Sequence, residues 1–130
     1  MYNPHCFADE EHRAFYYRMC SQYGHDRFRA SLFYCIGSTD VTRRHYRRIY
    51  DTEEQMVIPE CIYESWQTSG TLRMILLGFE LYHGGPVIQD DTEDSDRLKK
   101  LYSISSVFSS EMLEVKLEAV RIRFGFEVSI

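Results

Sequence analysis

Several stretches of the chain place apolar residues every three or four positions and then end at a glycine. This pattern restricts the fold more than any other feature of the sequence, because it is the signature of amphipathic helices. Most of the stretches open on acidic or hydroxyl side chains, which suit a helix N-terminus, and glycine is the residue that most often ends a helix. The most apolar stretch is expected at the centre of the fold. The predicted helices cover about residues 9–23, 26–36 and 69–83, and the third is the most apolar.

Two more segments show the helical spacing, one over about residues 40–50 and one that begins at a predicted cap over residues 109–111. An irregular connection, residues 52–68, joins the 40–50 segment to the predicted helix over residues 69–83. Within it, Pro59 predicts a short helical turn because proline fits the first turn of a helix. The residues FEVSI, 126–130, predict a short extended tail. The sequence therefore predicts an all-α fold, a compact domain of about five helices with a short C-terminal tail.

The length of 130 residues is that of one domain, so we expect a single domain over residues 1–130. No apolar run approaches the ~20 residues of a membrane span, and the N-terminal residues lack the apolar core of a signal peptide. A cytoplasmic location is the expectation. The four cysteines are widely spaced and form no CxxC pair, which predicts reduced and mostly buried thiols.

The segment TRRHYRRIYD, residues 42–51, concentrates four arginines in a chain whose formal net charge is -5. On a helix, Val41, His45 and Ile49 form one stripe and the arginines lie to its sides. Like charges then stack one turn apart, so they need acidic partners or an anion from elsewhere. The arginines are Arg43, Arg44, Arg47 and Arg48, and the nearby acids are Asp40, Asp51, Glu53 and Glu54.

Two interpretations of these arginines remain open. In one they bind nucleic-acid phosphates while Tyr46 and Tyr50 stack on bases. In the other they form ion pairs within the chain or contact an acidic protein partner. The isoelectric point of about 5.5 favours the second interpretation, since nucleic-acid-binding domains often exceed about 9. We therefore predict that the arginines bind a protein partner and that direct nucleic-acid binding is absent.

An acidic run lies in a predicted loop over residues 86–97. Its carboxylates can imitate nucleic-acid phosphates and attract a basic groove on another protein, or they can serve only solubility. Solubility is the more usual role of a charge run. The partner-binding candidates in this run are Asp90, Asp91, Glu93 and Asp94.

A metal site has four candidate ligands near the N-terminus, because thiolate and imidazole together suit zinc. Their spacing matches no zinc finger or knuckle, and helical cysteines are more often small core residues. We expect no bound zinc and no other cofactor. The candidate ligands are His5, Cys6, His12 and Cys20.

Structural interpretations are favoured for His45 and Trp66. His45 is predicted to be a core histidine hydrogen-bonded to a backbone carbonyl or an acid, rather than a catalytic base. Trp66 is predicted to anchor the chain beneath the following helix, which Thr68 or Ser69 caps. No serine-nucleophile, phosphate-loop or zinc-protease motif occurs, so the sequence predicts that the protein is not an enzyme.

Four blocks of the sequence resemble successive blocks of one family. The blocks are EEHRAFYYRM, LFYCIGSTDVTRRHYRRIYD, ESWQTSGTLRMILLGFELYHGG and LEAVRIRF, and together they span nearly the whole chain. The family consists of small bacterial and phage proteins and is known only as a domain of unknown function. The resemblance implies kinship and a shared fold, and it brings no catalytic residues.

Size, acidic balance and this resemblance suggest a protein of phages or mobile elements that inhibits a host defence effector. Its most concrete form is an anti-CRISPR inhibitor that binds a type II RNA-guided nuclease and blocks DNA or guide engagement, an expectation by analogy. The alternative is a nucleic-acid- or zinc-binding accessory protein of a phage.

Overall fold

A computed structural model describes residues 2–84 and 93–125 of the chain, and the side chains of residues 93–95 lie outside that description. Most of the described residues are helical. A hairpin of two short antiparallel strands, β1 and β2, and one 3-10 helix stand between the fourth and fifth helices. The helices are α1 Glu10–Tyr23, α2 Arg27–Gly37, α3 Asp40–Arg44, α4 Tyr46–Ile49, α5 Ser69–His83, α6 Glu93–Leu101, α7 Ile104–Phe108 and α8 Leu113–Phe124; the strands are β1 Tyr50–Asp51 and β2 Met56–Val57; and the 3-10 helix is Pro59–Tyr63.

The predicted all-α class is confirmed, and so are the starts of three helices. Asp9 caps α1 by accepting the backbone N–H of His12 at 2.7 Å. Thr39 caps α3, and Thr68 caps α5 in a reciprocal capping box with Thr71. The helix count exceeds the predicted five because α6 and α7 are short and the third predicted helix is split. The predicted tail, residues 126–130, lies outside the described residues.

The helix at the centre is α2, and not the more apolar α5 that the sequence places there. Residues 30–37 of α2 and the C-cap residue Ser38 are all buried, and the helix packs against α1, α5 and α8. Glycine permits the close crossing with α5. A Cβ on Gly78 would lie 3.0 Å from the Cβ of Cys35 and 3.3 Å from Cδ1 of Leu32. Apolar content alone therefore does not locate the centre, since burial on all sides depends on how many helices surround one helix.

The predicted third helix breaks at His45, which has φ −103° and ψ 18°. Both the backbone N–H of His45 and its ring Nδ1 bond the carbonyl of Val41, at 3.2 Å and 2.8 Å. A second short helix, α4, follows, and the N–H of Arg48 donates to the carbonyl of His45, three residues earlier, at 2.8 Å. A local side-chain bond to the backbone thus competes with the continuous helix that the spacing predicts.

The predicted cap of the last helix is wrong. The Ser110 hydroxyl donates to the carbonyl of Val107 and accepts from Nζ of the buried Lys116, so it does not cap α8. Met112 holds the N-cap position with φ +63° and no side-chain bond. The predicted loop over residues 86–97 is helical from Glu93 onward.

No described helix is both long and apolar enough to cross a membrane.

Candidate protein-interaction surface

Arg43 is the one arginine of the 42–51 segment that the fold largely covers, with 11% of its side chain exposed. Its guanidinium donates to the carbonyl of Gly37 at 2.7 Å and to the Glu11 carboxylate at 3.1 Å, and it lies 3.5 Å from Asp9. These partners tie α3 to the end of α2 and the start of α1. Arg43 is a predicted partner-binding residue, and the structure leaves little of its side chain exposed for such a contact.

The other three arginines of the segment are exposed. Arg44 pairs with Asp40 at 3.0 Å, one of the acids that the sequence proposes. Arg47 donates to the hydroxyl of Tyr46 at 3.0 Å and stacks over its ring. A further predicted acid, Asp51, serves the hairpin turn, where it accepts the N–H groups of residues 53 and 54.

Arg48 is held by Glu64, an acid that sequence reasoning did not propose. The Arg48 guanidinium donates through two nitrogens, with Nε 3.0 Å from Oε2, and 66% of the Arg48 side chain is exposed. Glu64 also accepts the indole N–H of Trp66 at 2.7 Å. These hydrogen bonds hold the pKa of Glu64 below its ordinary value, with Arg48 the larger cause.

Trp66 stacks on His45 across the break between α3 and α4. The two rings are 4.3 Å apart and nearly parallel, at 10°. Both side chains are half-buried, so the predicted core histidine stands at the edge of the fold, while its predicted bond to a backbone carbonyl is confirmed. The sequence assigns Trp66 to the underside of α5, and the structure adds this contact with His45.

Contacts join Arg48, Glu64, Trp66 and His45. We call this cluster, together with the residues of the 42–51 segment next to it in sequence, the arginine–tryptophan surface. Glu64 joins its two halves, because it bonds Arg48 on one side and Trp66 on the other. The pairs within the chain leave little uncompensated positive charge to attract phosphates. Its members are Arg44, His45, Tyr46, Arg47, Arg48, Glu64 and Trp66.

The acidic candidates lie at the limit of the described chain. Asp90 and Asp91 are outside the described residues, and the side chains of Glu93 and Asp94 are as well. The backbone of the last two belongs to the first turn of α6. Their role in binding a partner stays a prediction.

The four metal candidates do not converge. His12 is fully buried, its Nδ1 accepts the N–H of Ala8 at 2.9 Å, and its Nε2 donates to the carbonyl of Tyr34 at 2.7 Å. Both ring nitrogens are thus engaged with the backbone, while His5 is exposed and stacks on Tyr2. Within the described part of the chain, no three side chains of the metal-binding types stand close enough to hold an ion.

Burial separates Cys6 from the other three cysteines. Cys20, Cys35 and Cys61 are buried, which raises the pKa of each thiol to about 12. Such thiols stay protonated at neutral pH and are poor nucleophiles. Cys6 is half-buried beside the hydroxyl of Tyr34.

We expect a disulfide reagent such as DTNB at pH 8 to modify one thiol per folded chain quickly and the other three only after unfolding. A Cys6→Ser variant should lose the fast phase, whereas Cys61→Ser should keep it. Fast reaction of two or more thiols of the native protein would contradict the prediction that only Cys6 is accessible.

Sequence reasoning missed two features because their partners come from distant parts of the chain. Glu118 is a fully buried carboxylate that accepts from the Tyr2 hydroxyl at 2.8 Å and from the N–H of His5 at 2.5 Å. Arg123 donates to the carbonyl of Leu81, 42 positions away. Charged residues on a predicted helix are ordinarily assigned to solvent, so no local signal marks either of them.

The described elements define a mostly helical domain with a polar, arginine-bearing surface. The chain belongs to the family of unknown function DUF6075, whose model matches residues 2–130. This confirms the kinship that the four sequence blocks indicate. No curated protein and no solved structure matches the chain.

Proposed function

We propose that the protein acts by docking onto another protein through the arginine–tryptophan surface. The observation that carries the proposal is the Arg48–Glu64–Trp66 chain of hydrogen bonds, which fixes an arginine and a stacked tryptophan at an exposed edge. Arginine and tryptophan are enriched at the energetically dominant positions of protein interfaces, and a side chain already held in place loses less entropy on binding.

The chain's own acids weigh against nucleic acid as the partner. Arg43, Arg44 and Arg48 already pair with carboxylates, and the whole chain carries a net charge of -5. Few phosphate contacts on an acidic protein give only weak, salt-sensitive attraction. The target that we propose is a host defence effector in the bacterial cytoplasm, most concretely a type II RNA-guided nuclease. Its support is the small size and acidic balance of the chain, together with the phage kinship that the sequence blocks suggest.

Reversing one exposed charge tests the surface with little risk to the fold. Arg47 is the residue to change, because its recorded partner is the neighbouring Tyr46, whereas reversing Arg48 would set two carboxylates against each other at Glu64. We expect the wild-type protein to inhibit DNA cleavage by the guide-loaded nuclease and Arg47→Glu to weaken inhibition roughly tenfold or more, as loss of a hot-spot contact does. Lys100→Glu, an equal charge change on α6, should inhibit like the wild type.

The outcomes separate the possibilities. Failure of the wild-type protein to inhibit cleavage would reject the nuclease as target. Equal loss of inhibition in both variants would reject the surface, with urea unfolding confirming that each variant is folded. Tight duplex or single-stranded DNA binding that falls steeply with added salt would favour a nucleic-acid-binding accessory protein instead.

A further inference from the structure

A second candidate site lies where α8 ends against α2 and α5. The Arg123 guanidinium carbon lies 4.0 Å from the ring centre of Phe28 and 4.5 Å from that of Phe124. Its Nε–H donates to the carbonyl of Leu81 at 2.9 Å. Two ring contacts and one hydrogen bond leave the planar group with little freedom of orientation.

This arginine differs from most others described above because it has no carboxylate partner among residues 2–84 and 93–125. Within residues 2–84 and 93–125 its hydrogen bond uses Nε, so no acceptor in that part of the chain takes the terminal N–H donors. An oriented guanidinium with free terminal donors matches the two oxygens of a carboxylate.

The two rings that hold Arg123 are themselves exposed. Phe28 is 44% exposed and Phe124 is 53% exposed, which leaves apolar area of both rings in water. A cavity of about 660 Å³ adjoins Phe28, and Tyr16, Ile122 and Gly125 also line it. Apolar side chains of a partner can therefore pack on the exposed parts of these rings, next to a concave space whose lining also includes His25, Asp26 and Arg27.

We propose that the Phe28–Arg123–Phe124 cluster is a docking site for a segment of another protein that carries an acidic side chain next to an apolar one. Charge complementarity selects the occupant: Arg123 binds the carboxylate through its terminal N–H groups, and the apolar neighbour packs on the phenylalanine rings. This site is independent of the arginine–tryptophan surface, since it uses none of the same residues.

The probe is a fluorescein-labelled ten-residue peptide of alternating leucine and glutamate, and the matched probe replaces glutamate with glutamine. We expect saturable binding of the acidic peptide, with NMR shifts at the Arg123 Nε–H and at backbone amides 27–30 and 122–125. Arg123→Gln should weaken binding roughly tenfold or more, because it removes charge-assisted hydrogen bonds. Phe124→Ser should also weaken it, and Arg123→Lys should restore it only in part.

Arg13 supplies the control, because its guanidinium also lies near two rings, those of Phe7 and Tyr17, at 6.0 Å and 5.9 Å. Arg13→Gln should bind the acidic peptide like the wild type. Equal binding of the glutamine peptide, or unchanged binding by Arg123→Gln, would overturn the proposal. So would a wild-type dimer that Phe124→Ser makes monomeric, or binding that appears only after removal of residues 126–130, because the occupant would then be a second copy or the chain itself. The Arg47→Glu variant should bind the acidic peptide like the wild type, whether or not it inhibits the nuclease. The peptide test and the inhibition test therefore fail independently.

Discussion

Replacing Glu118 with alanine is expected to lower the free energy of unfolding by about 3 kcal/mol, as loss of a buried, hydrogen-bonded carboxylate does. Glu118 is fully buried and joins α8 to the N-terminal arm, residues 2–8 before the cap of α1, through the Tyr2 hydroxyl and the N–H of His5. The carboxylate also accepts from the Arg121 guanidinium at 3.2 Å. The substitution therefore leaves three donors without their acceptor and creates a cavity. Urea unfolding followed by circular dichroism measures the change.

The matched control is Glu114→Ala, which removes an exposed carboxylate one turn earlier on the same helix. It should change the unfolding free energy by at most about 0.5 kcal/mol. Glu118→Gln should fall between the two, because an amide oxygen still accepts from one donor. Release of the arm should also speed the reaction of Cys6 with DTNB in Glu118→Ala. An effect of Glu118→Ala as small as that of Glu114→Ala would show that the arm is held by other contacts.

Acidification from pH 6.5 to pH 4 is expected to lower the unfolding free energy by about 3 kcal/mol through His12 alone. Burial, partly opposed by the hydrogen bond to Tyr34, lowers the pKa of His12 from its ordinary 6.5 to about 4. The unfolded chain therefore takes up a proton in this range while the folded chain does not. The contribution of neutral His12 to the unfolding free energy is fully present well above pH 6.5. It decreases between pH 6.5 and pH 4 and levels off below pH 4.

Carboxylates also titrate near the lower end of this range, so variants isolate the histidine. His12→Gln should be less stable at pH 7 and should lose stability less steeply on acidification. His83→Gln removes an exposed histidine and should keep the wild-type slope. Identical slopes in the wild type and His12→Gln would mean that His12 has the same pKa in the folded and unfolded chain.

The local features of the fold follow from the sequence, because helix caps and stops depend on neighbouring residues. Asp9, Thr39 and Thr68 are acidic or hydroxyl residues at the starts of predicted helices, and each of them caps its helix. Gly84 ends α5 with φ +73°. The break at His45 was not predicted, since spacing alone cannot show that a histidine ring will bond the carbonyl of Val41. The cap at residues 109–111 failed for a related reason, because Ser110 is engaged by Lys116 from the next helix.

Some features of the candidate sites also follow from the sequence, and others depend on tertiary contacts. By itself the sequence determined that four arginines lie close together, and that the four cysteines are widely spaced and form no CxxC pair. Only the tertiary structure decided that Arg43 pairs with Glu11, that Arg48 bonds Glu64 beside Trp66, and that Arg123 contacts the ring of Phe28. The physical reason is that charge and periodicity are properties of neighbouring residues. The environment of a charged side chain is set by groups that are distant in sequence and meet it only after the helices pack.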